Sequence, residues 1–308
     1  MTRQNFRTPF SIGAALLLAL SLLTPAIAQE SSKGKGAPGT GFGPESAEQE
    51  TPAGDQAATE TQLDPMAEKL LDSVHRFRLR NFMALNNYYN YTADPDQELA
   101  SRITDNMDQS RQLLGKIESQ SGESLSDSQL NELKKTYENF AKQMDTNIED
   151  VRSSGYPDLR LLSDMANQAQ TLSKLSGKIY RKVAGQESTP TQTNLELARE
   201  AAITMAVMVT RYSARSSSSV AQVFQGADME KSLDELSKDF ENNLEKLRAR
   251  LGNDQQIATT LSDVNNKWRF IRGSYINYDE ENVAFVINRY SNSIIQGLEK
   301  TIERLKSA

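Results

Sequence analysis

Arg76-Phe77-Arg78-Leu79-Arg80 and Arg211-Tyr212-Ser213-Ala214-Arg215 share the pattern Arg-aromatic-x-x-Arg. On a helix, residues four apart lie one turn apart on the same face. Arg76 with Arg80, and Arg211 with Arg215, are therefore expected to present two pairs of guanidinium groups. Asn81 and Ser216 follow directly and place a polar residue within each apolar stripe. A guanidinium pair beside a polar layer suits a carboxylate, nitrate or phosphate, held by forked hydrogen bonds. The competing use of the same arginines is ion pairing with acidic residues of neighbouring helices.

A second constellation is rich in Tyr and Asn. Asn86, Asn87, Asn90 and Tyr91 lie in the stretch NNYYNY, and Tyr275, Asn277 and Tyr278 lie in GSYINYDEEN. Tyr supplies rigid contact area and Asn adaptable hydrogen bonding, the composition of binding surfaces. Tyr88 and Tyr89 are expected to be packing residues whose hydroxyls reach a wet end of the fold.

Catalytic chemistry has little to work with. The chain has no Cys and a single His, His75. His-based triads and multi-histidine metal sites are thereby excluded, including the paired Glu-x-x-His halves of a di-iron bundle. His75 itself is expected to be a partly exposed helix residue. Acidic residues are abundant, yet nothing in their spacing singles out two of them for glycoside hydrolysis. The Gly-rich stretch GKGAPGTGFG has no strand before it and does not form a phosphate loop. No cofactor is expected.

These residues must be positioned by helices. Apolar residues recur at three- and four-residue steps, through Met66, Leu70, Val74, Phe77, Ala84 and Tyr88, which stop near Asp94-Pro95. Three further stripes follow, from Leu99 to Ile117, Leu130 to Ile148, and Leu162 to Ile179. Period-two alternation is absent, so strands are not needed. Short loops between long amphipathic helices imply antiparallel neighbours and an up-down four-helix bundle.

The pattern then repeats. Met205, Val209, Tyr212, Ser216, Ser219 and Val223 fall in register with Leu70, Val74, Phe77, Asn81, Ala84 and Tyr88. Leu261, Val264, Trp268, Ile271 and Tyr275 likewise match Leu130, Leu133, Tyr137, Phe140 and Met144. The expected fold is all-α: tandem duplicated up-down four-helix bundle units, spanning 65–185 and 186–308. The serine run at 216–219 weakens the helix that carries it and allows close approach of a neighbour. Two stacked four-helix units invite comparison, in architecture alone, with the periplasmic sensing domains of bacterial chemoreceptors and sensor kinases.

The N-terminus reads as a bacterial Sec-type signal peptide over 1–28. Arg3 and Arg7 precede a short apolar run, and Pro25 breaks it ahead of Ala26-Ile27-Ala28. The run is too short for a comfortable membrane span, and no later segment is apolar enough to be one. Residues 29–64 are rich in Gly, Pro, Ser, Glu and Ala, which bury too little apolar surface to fold alone, and read as a disordered leader. Removing the two signal arginines takes the net charge from −6 to −8. An acidic exported chain is a poor candidate for nucleic acid or an anionic membrane surface. The expectation is a periplasmic or secreted, non-enzymatic binding protein with no integral membrane segment after cleavage. Its partner would be an envelope or surface protein, an envelope polymer or a small anion. A structural assembly factor without a small ligand is the first rival, and an envelope glycan hydrolase the second.

Overall fold

The structure is a computed structural model that describes residues 64–185, 193–217, 231–277 and 283–307. The described residues lie within one compact unit and form helices without strands. The helices are α1 (Pro65–Ala93), α2 (Gln97–Gln120), α3 (Asp127–Ser154), α4 (Leu159–Val183), α5 (Asn194–Ser216), α6 (Leu233–Arg250), α7 (Gln255–Ile276) and α8 (Ala284–Ser307). The signal and leader segments, and Tyr278, lie outside the described residues.

Local sequence sets most helix ends. Pro65 opens α1, where its missing N–H has no intrahelical partner to lose, and Pro95 follows the end of the same helix. Ser126 with Gln129, and Ser232 with Glu235, form reciprocal capping boxes at the starts of α3 and α6. Asp96, Asp158, Thr193 and Asp254 cap α2, α4, α5 and α7 by accepting from the first-turn amides. Gly155 ends α3 in the left-handed region at φ 81°, where a side chain would be strained.

The apolar stripes close over two cores. Val74, Phe77, Tyr88, Tyr137, Phe140, Met144 and Leu172 belong to the first, built by α1–α4. Met205, Tyr212, Phe240, Trp268, Tyr275 and Leu298 belong to the second, built by α5–α8. Within the first, α1 lies against α2 and α4, and α3 lies against α4. Within the second, α5 lies against α6 and α8, and α7 lies against both.

The two cores meet along α1 and α5, which pack on each other. They run parallel, since Asp72 pairs with Arg199 near their N-terminal ends and Asn86 bonds Ser213 near their C-terminal ends. Helix α8 crosses them antiparallel, with Asn288 beside Asn86 and Glu303 beside Arg76. Leu79 and Met83 of α1 turn into the second core, and Ala214 of α5 turns into the first.

Burial of α1 on several sides corrects two expectations. His75 is buried rather than partly exposed, because α5 and α8 cover the side of α1 away from the first core. The Tyr/Asn stretch is interior rather than a surface: Asn86, Asn87, Tyr88, Tyr89 and Tyr91 are all buried. Tyr88 and Tyr89 are packing residues, but Tyr88 directs its hydroxyl to Asn147 (3.4 Å) and Tyr89 is fully buried, so neither reaches a wet end. Met66, assigned to the apolar stripe of the first helix, is half exposed.

Two further departures concern the second half. Of the serine run, Ser216 ends α5 and Ser217 is its C-cap, while Ser218 and Ser219 lie outside the described residues. There the Ser217 hydroxyl lies 3.1 Å from that of Thr92 on α1, a local partner that competes with continued helix. In the first core Phe77 packs its ring against Tyr137 at 5.5 Å, but in the second Tyr212 packs against Tyr275 at 5.6 Å. Trp268 instead contacts Phe240 and Tyr275.

Candidate functional site

Three polar assemblies line α1, and they differ in whether their hydrogen-bonding demand is met within the protein.

The first is a knot of amides between α1, α5 and α8. Asn86 donates to Asn288 Oδ1 (2.9 Å), and Asn288 Nδ2 donates to Asn90 Oδ1 (2.9 Å) and to the Ser213 hydroxyl (3.0 Å). Ser213 in turn donates to Asn86 Oδ1 (2.8 Å), and Asn90 Nδ2 reaches the Asn86 carbonyl (2.7 Å). Buried amides closed on each other in this way specify packing and have no demand left for a ligand.

The second is a charged cluster towards the other end of α1. Arg199 of α5 is only 2% exposed. Its Nη1 contacts Glu196 (3.2 Å) and the Tyr180 hydroxyl (3.3 Å), and its Nη2 stands 3.7 Å from Asp72. Tyr180 donates to Glu196 at 2.6 Å. Asp72 also forms ion pairs with Arg76 Nε and Lys306 Nζ, both at 2.9 Å. Burial alone would lower the Arg199 pKa, but Tyr180, Glu196 and Asp72 outweigh it and the pKa is raised. His75 lies in this cationic surrounding. Burial, followed by the charges of Arg199, Arg78, Arg76 and Arg80, drives its pKa well below 6.5 and keeps the ring neutral.

Arg76 and Arg80 do share one face, but that face meets α8. Arg76 pairs with Glu303 as well as Asp72, and Arg80 pairs with Glu299 at 2.7 Å. The shallow groove beside His75 is lined by these same paired charges. Arg211 donates to the Lys231 carbonyl (2.5 Å), Arg215 is exposed, and the Ser216 hydroxyl returns to the Tyr212 carbonyl. Tyr275 is fully buried and shares a hydrogen with Ser291 at 2.7 Å, while Asn277 is exposed at the end of α7.

The third assembly is different. Arg78, the arginine between the predicted pair, turns the other way and lies over α4. Its guanidinium lies over Gly177, with Nη2 3.4 Å from where a Cβ would stand, an ordinary van der Waals contact. No carboxylate among the described residues pairs with it, and its Nε is enclosed without a hydrogen-bond partner. One turn along α1, Asn81 is 9% exposed. Its Nδ2 donates to the Phe77 carbonyl (2.8 Å), which leaves Oδ1 buried and unpartnered.

Arg78 and Asn81 both line a cavity of about 20 Å³ between α1, α3 and α4, walled by Phe82, Phe140, Leu172 and Ser173. That is room for about one water molecule. Burial pulls the Arg78 pKa down to about 10, with Tyr180 and Glu200 opposing and Arg181 adding to the fall. The guanidinium is still charged at neutral pH. An enclosed guanidinium N–H without a partner next to a buried, unsatisfied acceptor is a demand that water or a ligand would meet.

Of the residues expected to form the anion site, the structure brings only Asn81 to this cavity. Arg78 was in plain view in the sequence, but its partner in the geometry, Gly177, is visible only once α4 is laid against α1. Among the described residues no group of His, Asp and Glu is placed to hold a metal, and no helix is long and apolar enough to cross a membrane. No family model, curated protein or solved structure matches the chain.

Proposed function

We propose that the chain is an exported, non-enzymatic helical binding protein whose ligand is a small oxyanion held by Arg78. The observation that carries this reading is the enclosed Nε of Arg78 without a hydrogen-bond partner, on a residue that lines the small cavity together with Asn81. Export is supported by Arg3, Arg7, the apolar run and Ala26-x-Ala28, with 29–64 acting as a tether in the periplasm or outside the cell. The helices are read as two up-down four-helix units from a duplication, supported by the parallel order of the stripes. Only the first unit keeps an arginine at the position of Arg78, since Ser213 stands there in the second.

Calorimetric titration with small oxyanions, run alongside thermal melting, tests the assignment. Arg78→Met is expected to abolish binding while leaving the melting temperature nearly unchanged, because Arg78 makes no ion pair that would be lost. Arg76→Met with Arg80→Met is expected to retain binding and lose some stability from the α8 ion pairs. Binding that survives Arg78→Met, or no binding of any small oxyanion, would remove the reading.

A second reading, a structural envelope factor that binds a partner protein, is favoured by Phe285 and Phe270, which are 78% and 64% exposed. Replacing both by Ser should then abolish cross-linking to an envelope protein in cells. Unchanged cross-linking would count against it.

A further inference from the structure

Arg78 does not stand alone at the edge of α4. Its Nη2 and the Nη1 of Arg181 lie against the same point over Gly177, at 3.4 and 3.7 Å. The two nitrogens are thus within about 7 Å of each other, close enough for like charges to repel. Arg181 accordingly adds to the lowering of the Arg78 pKa. Neither guanidinium has an ion pair among the described residues, and the carboxylate whose charge reaches Arg78, that of Glu200, makes none with it. Arg76 and Arg80, by contrast, each hold a carboxylate. Of the Arg78 nitrogens only Nε is enclosed. The residue is partly exposed and Arg181 is exposed, so the outer side of the pair is open to a solute.

A basic residue in the last turn of a helix complements the helix dipole, which accounts for Arg181 taken singly. It does not account for Arg78, which reaches the same spot from α1. Lys174, Lys178 and Lys182 are exposed on the same half of α4, and this helix has no acidic residue after Asp164. The region is cationic although the chain as a whole carries −6. A ligand here meets two fixed positive charges side by side. A monovalent anion such as nitrate leaves one of them uncompensated. A dianion compensates both, and a tetrahedral one gives each guanidinium its own oxygen, with charge-assisted bonds of about 2.8 Å reaching inward from either side. Resting on the oxyanion reading above, we propose that Arg78 and Arg181 together clasp a doubly charged tetrahedral oxyanion, a phosphate or sulfate group, over Gly177. The open side admits the free ion or the same group at the end of an ester.

The test is titration calorimetry at pH 8.0 and equal ionic strength with sulfate, inorganic phosphate, glycerol 1-phosphate and nitrate, on the wild-type protein, Arg181→Met and Arg78→Met. Sulfate and phosphate should bind at least tenfold more tightly than nitrate. Arg181→Met should lower their affinity at least tenfold, and Arg78→Met should abolish binding. Glycerol 1-phosphate that binds as tightly as phosphate assigns the site to an ester, and its exclusion assigns it to the free ion. The ester should weaken at pH 5.5, where a second pKa of about 6 returns it to a monoanion, whereas sulfate should not. Equal affinity for sulfate and nitrate, or tight binding that Arg181→Met leaves unchanged, would overturn the clasp. If Arg78→Met still abolished that binding, the oxyanion reading would stand. Binding of none of the four would overturn both.

Discussion

A Cβ on Gly297 of α8 would stand 2.5 Å from the Cγ2 methyl of Val264 on α7. The two helices touch there with no room for a side chain, and Val264 is fully buried. Gly177 of α4 is the opposite case: its nearest neighbours are the ends of Arg78 and Arg181, at 3.4 and 3.7 Å.

The same substitution should therefore act with opposite signs at these two helical glycines. Gly297→Ala must displace a branched core side chain and is expected to cost about 1–3 kcal/mol. Gly177→Ala meets only flexible side-chain ends and gains helix propensity worth roughly 1 kcal/mol. Its stability should equal or exceed wild type. Urea unfolding of both variants measures the pair, and a Gly297→Ala variant more stable than wild type would show that α7 and α8 are further apart than described.

The amide knot gives a second prediction. Asn288→Ala removes the partner of Asn86 and Asn90 together and leaves their buried polar groups unsatisfied. Each such group costs about 1–3 kcal/mol. The variant should lose at least that much in denaturant unfolding, whereas Thr171→Ala on the exposed side of α4 should change little.

Helix existence and the choice of core residues were legible from spacing, and the end of α1 from Asp94-Pro95. What spacing does not carry is how many neighbours a helix has. Asn86, Asn90 and His75 read as exposed or ligand-facing because a polar residue outside the main stripe is expected to meet water. In α1 that side meets α5 and α8 instead, and the polar residues find Ser213, Asn288 and a ring of charges there. The same geometry reversed the arginines. Arg76 and Arg80 satisfied the spacing rule for a paired site and were consumed by Asp72, Glu299 and Glu303. Arg78 satisfied no rule, lies over Gly177 of α4 and kept its Nε unpartnered.

Buried His75 should make stability depend on pH. Its folded pKa lies well below 6.5, the value of an unperturbed imidazole. Below pH 6.5 the unfolded chain takes up a proton that the folded protein refuses, so acid favours unfolding. The His75 contribution is thus present above pH 6.5 and is lost as pH falls below it towards the folded pKa. The slope from one such proton is at most about 1.4 kcal/mol per pH unit. Comparing urea midpoints at pH 7.0, 6.0 and 5.5, His75→Gln should flatten the decline relative to wild type. Parallel curves for the two proteins would mean that His75 is solvated.

The last prediction concerns whether the two cores act as one. Leu79 and Met83 of α1 sit in the second core, and Ala214 of α5 sits in the first, so neither can lose its helix without exposing part of the other. Trp268, the single tryptophan of the chain, is 1% exposed in the second core, against Phe240 at 4.7 Å. Its emission should be blue-shifted in the folded protein and reports the second core alone. Leu133 is fully buried in the first core, on α3, which is not among the helices packed on the second. Leu133→Ala removes buried methyl groups and should cost about 2–5 kcal/mol. If α1 and α5 couple the cores, the Trp268 fluorescence midpoint should fall together with the midpoint followed by circular dichroism at 222 nm. If the cores unfold independently, the circular dichroism curve becomes biphasic and the Trp268 midpoint stays at its wild-type value. A shared shift would also explain why so much of α1 is buried: the helix serves both cores, and its polar residues are the joints between them.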